Sequence, residues 1–212
     1  MKLLLTGFTP FGKLKVNPSQ VIVQEIKERA ASLGQLEIIS AVLPTEFAAA
    51  GEKIQALIRE NQPEAVLMLG VSTRLETINL ERVALNLDDA SMPDNAGETP
   101  NGQLIFPEAP KAYWSTFPLD EMKSALQESD IPVQISNHAG AYVCNHVFFV
   151  ARHTLETLEK TTPCGFVHIP LIRGQEGAPE DLPPGLPQET IIAAVEGCIR
   201  VLQGVVAAGN GS

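Results

Sequence analysis

Three cysteines in 212 residues, at no regular spacing, are too few and too odd in number for a disulfide framework. They fit free thiols in a reducing compartment. Basic residues are also scarce, 15 Lys and Arg against 25 Asp and Glu, for a formal charge of −10. A nucleic-acid binder needs a basic patch, and no block of like charge supplies one locally. No run of eighteen apolar residues occurs, so nothing reads as a membrane span. The opening MKLLLTG is too short an apolar stretch for a signal-peptide core. Internal repeats, low-complexity tracts and linker-like breaks are missing too. What remains is ordinary globular composition, 44% hydrophobic and 19% charged. The length suits a single α/β domain spanning 1–212. The expectation is a cytoplasmic globule with no nucleic-acid or membrane partner.

Short β-like runs alternate with helix-length segments. KLLLT (2–6), LEIISAVL (36–43), EAVLMLG (64–70), ETINLERVALN (76–86), VQIS (133–136) and CGFVHIP (164–170) read as strands. The third is apolar throughout, as expected of a strand buried on both faces of a parallel sheet. Helical spacing follows Pro18, with Val21, Ile22, Ile26 and Ala30, and helices are expected over 46–61, from near Val143, and over about 188–208. This alternation predicts a three-layer α/β/α sandwich around a twisted, mostly parallel sheet. Two Gly- and Pro-rich stretches, 88–103 and 171–188, are too long for simple connections. The first directly follows the strand carrying Glu81 and is expected near a site. For the second, a plain surface loop is an equal alternative.

The stretch ISNHAGAYVCNHVFF (135–149) sets a cysteine where a polar, Gly-containing loop becomes an apolar run. No HExxH, CxxC or zinc-spaced Cys/His cluster is present, so His138, His146 and His153 read as loop or helix-surface polar residues rather than metal ligands. Cys144 falls in the first turn of a helix, where unpaired N–H groups and the dipole favour a thiolate and an oxyanion. A small buried hydrophobe is the commoner fate of a cysteine, and these residues alone leave both readings open. Cys198 lies inside an amphipathic helix and reads as packing. Cys164 shares a strand face with His168, but four residues along a strand is about 13 Å, beyond hydrogen-bond reach. His168 ends its strand at the sheet edge where ligands bind in α/β folds. In the simplest strand–helix–strand topology its strand neighbours the one preceding Cys144. A third group should orient the imidazole. Glu81, a carboxylate in an apolar strand, is the candidate, because such a charge is costly unless paired. Arg82 points to the opposite face; another cation for Glu81 stays an open alternative.

The same residues carry a resemblance. TGFTPFG (6–12), NPS (17–19), ETINLERVALN, PDNAGETP (93–100), SNHAGAYVCNH (136–146) and GFVHIP (165–170), in this order, resemble the pyrrolidone carboxyl peptidases, cysteine peptidases also called pyroglutamyl peptidase type I. The resemblance places a Cys–His–Glu triad on Cys144, His168 and Glu81. It implies removal of an N-terminal 5-oxoproline from peptides, with no metal or organic cofactor. It also implies a homodimer or homotetramer. Recognition of a small neutral lactam calls for flat apolar walls and a few amide-directed hydrogen bonds. Phe8 and Phe11 resemble the family's aromatic walls; Asn17 would organise their loop, and Tyr142 and Val143 would line the other side. The chain departs from the family at Lys13, where a second glycine is usual, at Ser91, often arginine, and at His138. Val71 stands where a glutamine is expected to meet the lactam, while Arg74 keeps an arginine. These departures suggest an amidase or peptidase of other N-terminal preference as an alternative; a non-catalytic binding protein is the other. A phosphorylase reading lacks a phosphate-cradling motif.

Overall fold

The computed structural model describes residues 1–175 and 182–209. Seven strands form one sheet: β1 Lys2–Phe8, β2 Glu37–Leu43, β3 Ala65–Val71, β4 Ile78–Leu85, β5 Ala112–Trp114, β6 Val133–His138 and β7 Cys164–Ile169. The helices are α1 Pro18–Glu28, α2 Phe47–Asn61, α3 Leu119–Gln127, α4 Val143–Thr157 and α5 Gln188–Gly209. β5 and α3 fall in a stretch to which pattern reading assigns nothing. The other boundaries lie within two residues of expectation.

Strand alternation sorts the core into two layers. Leu3, Leu5, Leu67, Leu69, Leu80, Val167 and Ile169 face α1, α3 and α5, while Leu4, Val66, Met68, Cys164 and Phe166 face α2 and α4. Every residue of β3 is buried, as a central strand covered on both sides must be. α5 is 22 residues long and apolar enough to cross a membrane by length and composition. It is nevertheless a core helix, burying Ile191, Ile192, Val195, Cys198, Ile199 and Leu202 against the sheet. The three-layer α/β/α architecture is as expected.

The order of strands corrects one expectation. β2, β1, β3 and β7 are consecutive and parallel. β6 does not neighbour β7: β4 lies between them, antiparallel to β7 and parallel to β6. The reason is chain length. Only residues 72–77 separate β3 from β4, whereas a parallel crossover needs a dozen or more, so the chain must reverse. β4 is then shared. One edge meets β7 through Asn79–Glu81 and β5 through Val83–Leu85, and the other edge meets β6. β4 therefore brings Glu81 beside β7, and α3 serves as the crossover from β4 to the parallel β6.

Of the two long loops, 88–103 packs on the start of α4. The 171–188 loop is described only in part, 176–181 lying outside the described residues. Its first turn nonetheless abuts the site, because Leu171 packs on Val71 and Leu14 and Gln175 Nε2 donates to Val16 O at 2.7 Å.

α1 is seated tightly on β1. Asn17 caps it, its Oδ1 accepting from Ser19 N at 3.0 Å and from Ser19 Oγ at 2.9 Å, while Ser19 Oγ accepts from Phe8 N at 2.9 Å. This close approach requires Gly7, since a Cβ there would stand 2.7 Å from the Ser19 carbonyl oxygen. Backbone cannot yield as a side chain can. Gly7→Ala is expected to lower folding stability by about 1–3 kcal/mol, the usual cost of overpacking, read as a reduced urea midpoint at unchanged slope.

Candidate active site

Across one edge of the sheet Gly70, His168 and Asn79 are register partners on β3, β7 and β4. Glu81, two residues farther along β4, pairs with Phe166 and so shares the His168 face. The His168 Nδ1 lies 2.8 Å from Glu81 Oε1. Glu81 is only 2% exposed, and its Oε2 has no hydrogen-bond partner among the described residues. The open alternative, another cation on Glu81, fails on geometry. Arg82 turns away and donates to Asn137 Oδ1 at 2.6 Å, and His168 is the one cationic side chain within salt-bridge distance of Glu81 among the described residues.

Cys144 lines the same cavity as His168, near enough for its charge to act on the imidazole. The sulfur is seated over Gly70, where a Cβ would come within 2.8 Å of it. Burial alone would pull the His168 pKa down. It is outweighed by the electrostatic pull of Cys144, the hydrogen bond to Glu81 and the Glu81 charge, and the value is pushed up to about 10. The other two thiols behave differently: Cys164 and Cys198 are fully buried, and burial pushes each up to about 12. Cys144 is half-buried and opens on a cavity.

That cavity, of about 340 Å³, is lined on one side by Phe8, Phe11, Val71 and Tyr142 and on the other by Asn79, Ser136 and His138. The Phe11 and Tyr142 rings are 6.4 Å apart, and Tyr142 stands edge-on to Phe47 at 5.3 Å. Phe8 is core as much as wall, 2% exposed and tilted against Phe166. Asn17 lines the cavity but is committed to the loop, donating from Nδ2 to Thr9 O at 3.0 Å besides capping α1. Val143 is turned into the core and is not among the lining residues, and Arg74, Ser91 and Lys13 are exposed outside the cavity. A second concavity of about 370 Å³, near the carboxyl ends of α2 and α4, has no histidine or cysteine in its walls.

Sequence reasoning missed the residues that hold the start of α4. Asn145 is fully buried; its Oδ1 accepts from Leu85 N at 2.8 Å and its Nδ2 donates to Leu85 O and Leu87 O, both at 2.9 Å. The adjacent His146 Nδ1 meets Asp88 Oδ2 at 2.8 Å, with its ring edge-on to Phe47. Asp89 N donates to Ala141 O, and Tyr142 OH to Pro93 O at 3.0 Å. The loop after β4 thus clamps the cysteine's helix, as its position suggested. His146 and His153 are corrections: both are partly buried, His153 taking Tyr113 OH at 2.9 Å and packing on Phe106 and Phe149. His138 is exposed and accepts from Gly140 N at 3.1 Å. No group of three or more potential metal ligands occurs among the described residues. The signal that could have found Asn145 is a carboxamide inside an apolar helix, which must be hydrogen-bonded if buried.

Comparison with known proteins decides the family. The pyroglutamyl peptidase profile matches residues 1–204. The chain belongs to the pyroglutamyl peptidase family. It is 38% identical over 200 residues to the pyrrolidone-carboxylate peptidase of Thermococcus onnurineus, covering 94% of this chain and 98% of that one. It is 41% identical over 195 residues to that of Vibrio vulnificus strain YJ016, covering 92% and 89%. Crystal structures of pyrrolidone carboxyl peptidase from Pyrococcus furiosus superpose with a TM-score of 0.89 at 33% identity, covering 97% of this chain and 100% of that one. A mutant of the same enzyme gives 0.91 at 33% identity, with the same coverage. The activity of the family is that of a cysteine peptidase releasing an N-terminal pyroglutamyl residue.

The His168 proton links the site to folding. In an unfolded chain the ring titrates near 6.5 and in the fold near 10, so the folded state holds the proton more tightly. Its stabilising contribution is complete below about pH 6.5 and is lost as the pH rises to about 10. Urea unfolding across this window should show the stability difference between wild type and His168→Gln shrinking as pH rises; a flat difference would contradict the linkage.

Proposed function

We propose that Cys144, His168 and Glu81 carry out the family reaction, hydrolytic removal of an N-terminal 5-oxoproline from peptides. The observation that carries this reading is the line from buried Glu81 through His168 to Cys144, at the floor of a cavity walled by Phe8, Phe11 and Tyr142. In the resting site the Cys144 proton already sits on His168, and the thiolate attacks the pyroglutamyl carbonyl carbon. The first-turn amides of α4, which no side chain caps, stabilise the oxyanion. His168 then protonates the leaving amine. Water gives a proton to the now neutral His168 as it attacks the thioester, and pyroglutamate leaves as the sulfur regains its charge. Glu81 holds the ring orientation throughout and stabilises its positive charge whenever the ring is protonated.

The lactam ring enters between Phe8, Phe11 and Tyr142. Val71 offers it no side-chain hydrogen bond, so polar recognition falls to main-chain groups. A missing bond of this kind weakens discrimination by about 1–3 kcal/mol without abolishing chemistry. The proposal extends to a reducing, cytoplasmic setting, which three free thiols favour, and to a homodimer or homotetramer.

A fluorogenic pyroglutamyl amide, with a prolyl amide as control, tests the reading. Wild type should cleave the first in preference, and Cys144→Ser should lose at least about 10³-fold in kcat, as expected for a missing nucleophile. Iodoacetamide should label one thiol per native chain and abolish turnover in step. Labelling elsewhere, or full activity in Cys144→Ser, would refute the assignment.

A further inference from the structure

The cavity changes character on crossing His168. On the β1 side its walls are the aromatic rings; on the β4 and β6 side they are Asn79, Ser136 and His138. Because the proposed mechanism has His168 protonate the departing amine, the leaving peptide must run out over this second side. The inference rests on that mechanism. Asn79 stands directly opposite His168 in the β4–β7 ladder and opposite Gln134 in the β4–β6 ladder. It is 6% exposed, so its carboxamide must be placed for a reason. Its Oδ1 accepts from Thr77 Oγ1 at 2.9 Å and from Gln134 Nε2 at 2.9 Å. Two donors on one oxygen fix the plane of the amide. Its Nδ2 has no hydrogen-bond partner among the described residues, and Asn79 lines the cavity.

We propose that Asn79 is the binding residue for the leaving peptide, its Nδ2 donating to the carbonyl oxygen of the residue that follows the pyroglutamyl group. A peptide substrate has that carbonyl; a simple aryl amide has none. The chain therefore prefers peptides to aryl amides, through a polar subsite set in the triad strand itself. A donor held in a fixed direction at the cavity wall, free to exchange water for such a carbonyl, gives the chemical selectivity.

The test compares kcat/KM for pyroglutamyl-alanine amide with that for pyroglutamyl 4-nitroanilide, in wild type and in Asn79→Ala. The peptide-to-anilide ratio should fall about tenfold, the effect of one hydrogen bond. Asn79→Asp, which fills the same volume and can keep both hydrogen bonds to its oxygen, should lower the ratio in the same direction. A ratio unchanged in both variants, whether the two activities fall together or neither moves, overturns the assignment and leaves Asn79 a support for Glu81. A wild type inert toward both substrates overturns the catalytic reading beneath it, and the inference with it.

Discussion

Glu81 is a carboxylate in a strand packed between helices, with one oxygen on His168 and the other on nothing among the described residues. Such a charge is tolerable only beside a cation, and the imidazolium of His168 is the one the fold supplies. Glu81 holds the ring at Nδ1, and its proton is retained far above the ordinary range for histidine. A pair this buried cannot slide without stranding a charge. That constraint fixes the register of β4 on β7, and the site depends on it. Shift the register by one residue and Glu81 would face the opposite layer.

The rest of the structure serves to bring a thiol to that pair. The short β3–β4 connection forces β4 to run against β7, so the Glu81 strand enters the site from the edge where β3 and β7 end. The segment leaving β4 then doubles back and clamps the start of α4 through Asn145, His146 and Ala141. The first turn of α4 bears the sulfur and its own uncapped amides. Gly70 leaves the space the sulfur occupies. Packing, chain reversal and chemistry are coupled: the loop that follows the acid strand is also the brace of the nucleophile's helix.

Much of this was legible in the residues. Period-two and period-3.6 patterns located six of the seven strands to within two residues and the principal helices, because those elements bury continuous apolar faces. The last strand and the β6 strand were among them, but not their separation, since a pattern along the chain carries no record of which strands become neighbours. β5 is three residues long and α3 nine, too short for periodicity to stand out among prolines. Cys144, His168 and Glu81 could be singled out because each is chemically out of place, whereas Asn145 and Asp88 act through hydrogen bonds to distant backbone and side chain. Val143 is adjacent to the nucleophile, but helix geometry turns it into the core, a distinction that adjacency alone does not make. Asn79 carried no signal beyond polarity in an apolar strand.

The central claim is that Glu81 and Cys144 together hold a proton on His168. Following the His168 ring by NMR with histidine labelled in the imidazole nitrogens, from pH 5 to 11, tests it directly. The account predicts a doubly protonated ring through neutrality that titrates near pH 10, and earlier in Glu81→Gln. A ring that loses its proton at or below the unfolded value near 6.5, or one indifferent to Glu81→Gln, would contradict it.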